Sequence, residues 1–433
     1  MEENTVSNAF NSVNRGSYNF SFFKMNVNVF DELTNPEKLE PLPLSTFFHE
    51  YIHFLQDITT TFGLVNSCIV VDKMKFGNHY ILNSKDDTFN VPISFVADPK
   101  IELNNQLQEL YMGFPSPDIY RLEISSIERF ESMIYIPDPF NKYAQVVKVN
   151  YKVGEKVYTF NLGGLHLSET MCHIAQNIFN PGIIHNDVPY RTAELVAIFI
   201  YDVIGNNPLF VFSLCEACLM HFHPGDAFYM MLQLMKEREF VPKNELDIYL
   251  FVYENINDAD GSDLMFIYER QVVHAIYQLT GYFTTENYDN EKTWIFHVLE
   301  EGRKMRKETP FLLLSLLKEP TLYSISLKRI MLNVGTPLMQ NLDGDCWFLK
   351  PYGLSHLNIQ PDRLAALLEI HDSWILGKRE CGLKRFCTKN LIGGTTDERC
   401  DKAPWSRCNP NEQLCSYAQF LKTWKLMGKE PTF

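Results

Sequence analysis

An α+β fold is predicted for this chain of 433 residues, on three observations. Partly alternating segments rich in aromatic and β-branched residues mark strands and hairpins in the first 160 residues. From Tyr190 to Gly377 the apolar residues recur mostly at helical spacing. From Cys381 onward the character changes again, and five of the ten cysteines gather there among prolines and glycines. The chain therefore divides into an α+β region (1–160) that includes an inserted mixed stretch, a mainly helical region (161–377) and a small Cys-rich segment (378–433).

The elements follow in order. Tyr18–Phe30 (YNFSFFKMNVNVF) reads as a strand. Leu42-Pro43-Leu44-Ser45 punctuates the chain, and Ser45 can cap a helix running from Thr46 to Thr60, with Gly63 just beyond it. Residues 64–145 read as mixed and rich in turns. Val146–Tyr151 and Val157–Leu162 alternate around Gly154 as a β-hairpin. Gly163-Gly164 ends the hairpin, and a helix is expected over Leu165–Phe179. Further helices are expected over Arg191–Ile204, Leu209–His221, Gly225–Lys236, Leu264–Leu279, Glu291–Lys304 and Pro361–Leu376. A second hairpin is expected around Asp343-Gly344.

The net charge of −14 disfavours nucleic acid or an anionic membrane as a partner. From Asp372 to Phe433 there are 11 Lys+Arg against 7 Asp+Glu, so this tail is +4 and the remainder −18. A basic tail on an acidic body is expected to dock on that body. The first twenty residues are polar and lack a signal-peptide core. The apolar stretch from Ala193 to Phe222 is interrupted by Glu194, Asp202, Gly205-Asn206-Asn207-Pro208 and Glu216, so it reads as two buried helices. The expected location is cytoplasmic, where cysteines serve as thiols or metal ligands more often than as disulfides.

One motif carries chemistry. Residues 46–55 read TFFHEYIHFL, with His49-Glu50-Tyr51-Ile52-His53 as an HExxH. On a helix, positions i and i+4 share a face, so two imidazoles can bind one tetrahedral Zn²⁺. Glu50 is offset by about 100° around the axis. It can reach a water beside the metal without ligating the metal, and serve as its general base. With 12 His and 31 Glu in the chain, composition alone predicts about 0.02 such matches. The flanking Phe47, Phe48, Phe54 and Leu55 suit a buried helix.

This segment resembles the active-site helix of the zincin metallopeptidases. No Gly and third His follow at the metzincin spacing, so the resemblance is to the gluzincins, in which a Glu on a later helix completes the site. It implies a zincin-like catalytic core and one catalytic Zn²⁺. Glu169, in Gly164-Leu165-His166-Leu167-Ser168-Glu169-Thr170-Met171-Cys172-His173, is the candidate third ligand. The long gap from His53 to Glu169 implies an inserted region. Glu194 and Glu216, lone acids on apolar helices, are rivals for the ligand position, or partners that orient a ligand histidine. Asp57, one turn past His53, is a further orienting candidate. His166, His173, Tyr190 and Arg191 are candidates to stabilise the oxyanion of the scissile carbonyl. The blander reading for all of these is core packing or an ordinary ion pair. His221 and His223 read as a helix C-cap, and Cys215 and Cys218 as core.

In the tail, Cys381, Cys387, Cys400, Cys408 and Cys415 contain no CxxC pair, so a zinc-finger pattern is excluded. A second, structural metal held by four of these thiolates is one reading; an iron–sulfur cluster, unligated thiols on the main body and disulfides are the others. For the whole chain the leading reading is a zinc endopeptidase acting on a selective protein or peptide substrate, with a regulatory partner. The alternatives are a metal-dependent hydrolase of a non-peptide amide or ester, and a zinc-binding regulatory protein without turnover. The intact Glu50 argues against the last.

Overall fold

The computed structural model describes residues 15–137, 140–257, 261–318, 324–390, 396–407 and 413–433. The fold is α+β, with small sheets set among many helices. The strand-like run Tyr18–Phe30 becomes a hairpin, β1 (Gly16–Asn19) and β2 (Lys24–Val27), because Ser21 and Phe23 turn the chain at φ of 70° and 47°.

The HExxH helix, α1 (Pro41–Thr59), starts five residues earlier than expected. Pro41 and Pro43 lie in its first turn, where a missing N–H breaks no helical hydrogen bond. Ser45 is therefore inside the helix, with its hydroxyl donating to the Leu42 carbonyl at 2.8 Å, and is not the cap. After the single residue Thr60 the chain bends by 79° into α2 (Thr61–Leu82). The Thr60 hydroxyl caps that second helix by accepting the Gly63 N–H at 3.1 Å. A Cβ on Gly63 would stand 2.5 Å from the Asp57 Cα, so only glycine permits so tight a corner. Among the described residues no single helix is long and apolar enough to cross a membrane.

The stretch read as mixed, 64–145, holds more regular structure than its sequence suggests. After most of α2 come β3 (Thr88–Asn90), α3 (Pro99–Met112), capped by Asp98, and β4 (Ile124–Ile136). β4 forms an antiparallel meander with β5 (Lys142–Val153) and β6 (Lys156–Asn161), the last two being the hairpin predicted around Gly154. Then come α4 (Gly164–Phe179), α5 (Thr192–Ile200), α6 (Asp202–Gly205), α7 (Pro208–Cys218), α8 (Pro224–Glu237), α9 (Glu245–Asn255), α10 (Leu264–Thr280), α11 (Asp289–Glu308), α12 (Leu312–Leu317) and α13 (Ile325–Val334). The hairpin near Gly344 is β7 (Leu338–Gln340) and β8 (Cys346–Trp347), followed by α14 (Asp362–Leu376).

Two long-range pairings close the molecule. β7 joins β2 in parallel, giving the sheet order β1-β2-β7-β8. In the Cys-rich tail, after α15 (Lys384–Asn390), α16 (Arg399–Lys402) and α17 (Ser416–Thr423), the final strand β9 (Glu430–Thr432) pairs in parallel with β3. One contiguous apolar core runs from Tyr18 to Leu426 and draws on all three sequence segments. Within it α1 packs against α2, α4, α11 and the β1–β2 hairpin.

Candidate metal centre

The crossing of α1 with α4 brings the predicted donors together. His49 Nε2 lies 3.2 Å from Glu169 Oε2, and His53 Nε2 lies 3.4 Å from the same oxygen. Burial raises the Glu169 carboxyl, but the two imidazoles outweigh it and hold the group well below the usual carboxylate range. Cys172, one turn further along α4, adds a sulfur 3.6 Å from His53 Nδ1. His49, His53 and Cys172 form a buried group whose donor atoms lie within 4.8 Å of one another, and this group can hold a metal ion.

The histidines are oriented by residues that spacing did not single out. His53 Nδ1 meets Gln56 Oε1 at 2.8 Å, which places the ring proton on Nδ1 and leaves Nε2 free to ligate. Gln56 stands at i+3 on the same helix face, a signal present in the sequence. His49 is stacked against His185, with ring centroids 6.0 Å apart, and His185 lies edge-on to Tyr190 at 4.4 Å. Nothing in local spacing links residues 185 and 190 to residue 49.

Glu50 sits on the neighbouring face of α1, outside the donor set. Its surroundings are buried, and that burial raises the carboxyl to about 7 although His49 and His53 pull it down. Strand β1 passes directly over it: a Cβ on Gly16 would meet Glu50 Oε1 at 2.6 Å. The two histidines, Glu50 and Glu169 open on a cleft of about 630 Å³. β1 forms one wall, and Phe20, Phe114, Leu165 and Tyr190 are among the apolar residues that line the rest.

Other candidates are placed elsewhere. Asp57 does not touch a ligand histidine. Its carboxylate accepts the Tyr18 hydroxyl at 2.9 Å and the Ser21 N–H at 2.7 Å, pinning the β1–β2 turn to α1. Glu216 is fully buried far along the helical region, where it pairs with Arg306 and accepts the Tyr249 hydroxyl and the N–H groups of Leu313 and Leu314. Glu194 pairs with Arg191 at 2.6 Å, and Arg191 also holds Asp187 at 3.0 Å. These ion pairs remove Glu216, Glu194 and Arg191 from the centre. His166 is completely buried, accepting the Gly163 N–H at 3.2 Å and meeting Ser116 Oγ at 3.1 Å, so it braces the loop lining the cleft and does not itself line it. His173 lies against His185 and lines a neighbouring cavity of about 440 Å³. Of the oxyanion candidates only Tyr190 reaches the cleft. His223 contacts the Gln145 carbonyl at 2.7 Å and stitches the start of α8 to β5, in place of the helix C-cap expected of it. Cys215 and Cys218 are core residues.

In the tail, the Cys381 N–H donates to the Cys400 carbonyl at 2.8 Å, and Cys381, Cys387, Cys400 and Cys415 are all free thiols. Among the described residues they form no group of three donors at metal-binding distance, and Cys408 lies outside those residues. No protein-family model, curated protein or solved structure matches this chain.

Proposed function

We propose that this chain is a zinc-dependent peptidase of the zincin type, with His49, His53 and Glu169 as ligands and Glu50 as general base. The spacing of the donors carries this reading. With metal–nitrogen and metal–oxygen bonds of about 2.0–2.2 Å, a tetrahedron has edges of about 3.3–3.6 Å, and the two His–Glu169 edges are 3.2 and 3.4 Å. Zinc, when bound, supplies a Lewis acid that polarises a carbonyl and lowers the pKa of water to about 7. Glu50 takes a proton from the attacking water and returns it to the leaving amine. Tyr190, beside His49, donates to the carbonyl oxygen as charge develops on it.

The strand over the cleft favours a peptide over a small amide or ester. Among the described residues β1 is paired on one side only, with β2. Its free edge, beside Glu50, offers a backbone ladder to an extended chain. Selectivity for an intracellular protein substrate fits the walled cleft.

The test is direct. Purified protein is expected to carry zinc and to cleave members of a mixed peptide library; chelation should abolish cleavage and added zinc should restore it. Zinc-loaded protein that hydrolyses small esters or amides but no peptide would move the reading to a non-peptide hydrolase. His49→Ala/His53→Ala should lose one equivalent of zinc by elemental analysis, and full retention would remove the centre from this motif.

Gly16→Ala is expected to separate the base from the metal. The added methyl must displace the Glu50 carboxylate or the strand. A shift of about 1 Å in a catalytic group can cost about 10²-fold in rate. Turnover should fall toward that extent with zinc content unchanged. An alanine variant with full activity would show that β1 does not constrain Glu50.

A further inference from the structure

We propose that Asp118 makes the cleft selective for peptides that carry a lysine or arginine side chain near the scissile bond. The inference rests on the peptidase reading and names its substrate class. Asp118 lies in the loop between α3 and β4, is exposed, and lines the cleft that holds His49, Glu50, His53 and Glu169. Among the described residues lining that cleft the carboxylates are Glu50, Asp118 and Glu169, and there is no lysine or arginine. Glu50 and Glu169 offset the two positive charges of a bound zinc ion. The charge of Asp118 is left over for the substrate.

The carboxylate is held in place before a substrate arrives. Pro115 and Pro117 each fix one backbone dihedral of its loop. The loop is stapled to the segment that carries Tyr190: Ile119 and Val188 exchange both backbone hydrogen bonds, at 3.1 and 3.3 Å, and the Asp187 N–H donates to the Tyr120 carbonyl at 3.3 Å. Asp118 Oδ1 accepts the side-chain N–H of the buried Asn186. That partner is neutral and leaves the negative charge in place. Asp118 Oδ2 has no partner among the described residues. Burial, then the carboxylates of Glu169, Glu50 and Asp118, raise the Tyr190 hydroxyl, so Asp118 stands within electrostatic reach of the residue proposed to meet the scissile carbonyl. A positioned carboxylate with one free oxygen accepts an ammonium or guanidinium donor, and the fixed geometry spares part of the entropy of pairing.

The test uses zinc-loaded full-length protein and peptides acetylated at the N-terminus and amidated at the C-terminus. The peptides are alike except for Lys, Arg, Gln or Glu at each position in turn around the cleaved bond. Lys or Arg at one position is expected to raise kcat/KM over Gln by about fivefold or more, the upper range for an exposed ion pair, and Glu should lower it. Asp118→Asn should remove the preference with zinc content unchanged, and Asp118→Lys should invert it toward Glu. The same ranking is expected in the affinity of the uncleaved peptides for Glu50→Gln protein, read by fluorescence anisotropy. Peptides cleaved with no preference for a basic residue, or a preference that survives both Asp118 variants, would overturn the inference and leave the peptidase reading standing. So would a preference seen only with a free amino terminus, which would move the cation to that terminus. A protein that neither cleaves nor binds any of the peptides would remove both.

Discussion

Glu50→Gln is expected to leave a folded, zinc-loaded protein whose turnover is lower by about 10² or more, the contribution of a positioned general base. The amide keeps the shape of the side chain beneath Gly16 and leaves all the donors in place, but it cannot accept the proton. Glu169→Ala should fail differently. It removes an oxygen that lies 3.2 and 3.4 Å from the two imidazoles. Zinc affinity should drop sharply, and activity should return in part with excess zinc. Metal analysis beside peptide cleavage separates the two. Full activity in Glu50→Gln would sink the hydrolytic mechanism, and normal zinc affinity in Glu169→Ala would take the third ligand away from α4.

The convergence of His49, His53 and Glu169 was legible in the sequence because the motif is periodic and the acid is distinctive. His49, Glu50 and His53 need only 3.6 residues per turn to converge, and Glu169 stood out as one acid on an otherwise apolar helical run. What stayed hidden depends on tertiary contacts. Asp57 looked like a partner for His53, yet Tyr18 and Ser21 of the β1–β2 hairpin take one of its oxygens and Ser67 of α2 the other. Glu216 looked like a buried acid in need of a cation, and it has one, but Arg306 comes from a helix ninety residues later. Residues 64–145 read as irregular because α3 buries only Ile101, Leu110 and Met112 and the long strand β4 is largely solvent-facing. The parallel pairings of β2 with β7 and of β3 with β9 leave no trace in strands this short.

The second large effect concerns that buried pair. Glu216 and Arg306 are both completely inaccessible. The guanidinium also donates to the Thr59 carbonyl at 3.0 Å, at the last residue of the HExxH helix, and to the Thr59 hydroxyl at 3.1 Å. Removing one member of a buried ion pair strands the other charge and costs about 3–5 kcal/mol. Arg306→Met is therefore expected to lower stability by about that much, read as a shift in the urea midpoint. Arg306→Met/Glu216→Leu should recover part of the loss, because no charge is then left unpaired. A single variant as stable as the wild type would show that the pair does not secure the end of α1.

The β1 wall of the cleft has a history as well as a shape. Met25 on β2 is paired with Met339 on β7, roughly 300 residues later in the chain. At a synthesis rate of about 5–20 residues per second, the hairpin waits roughly 15–60 s for its partner strand. His49, His53 and Glu169 are all made well before β7, on helices α1 and α4 that pack against each other. On the proposed reading, a nascent chain could hold its metal while β1, the strand over Glu50, still lacks the support that β7 gives to β2. On that reading the centre would gain its full geometry only after Leu338–Gln340 have been made, so its activity would be timed by synthesis as well as by chemistry.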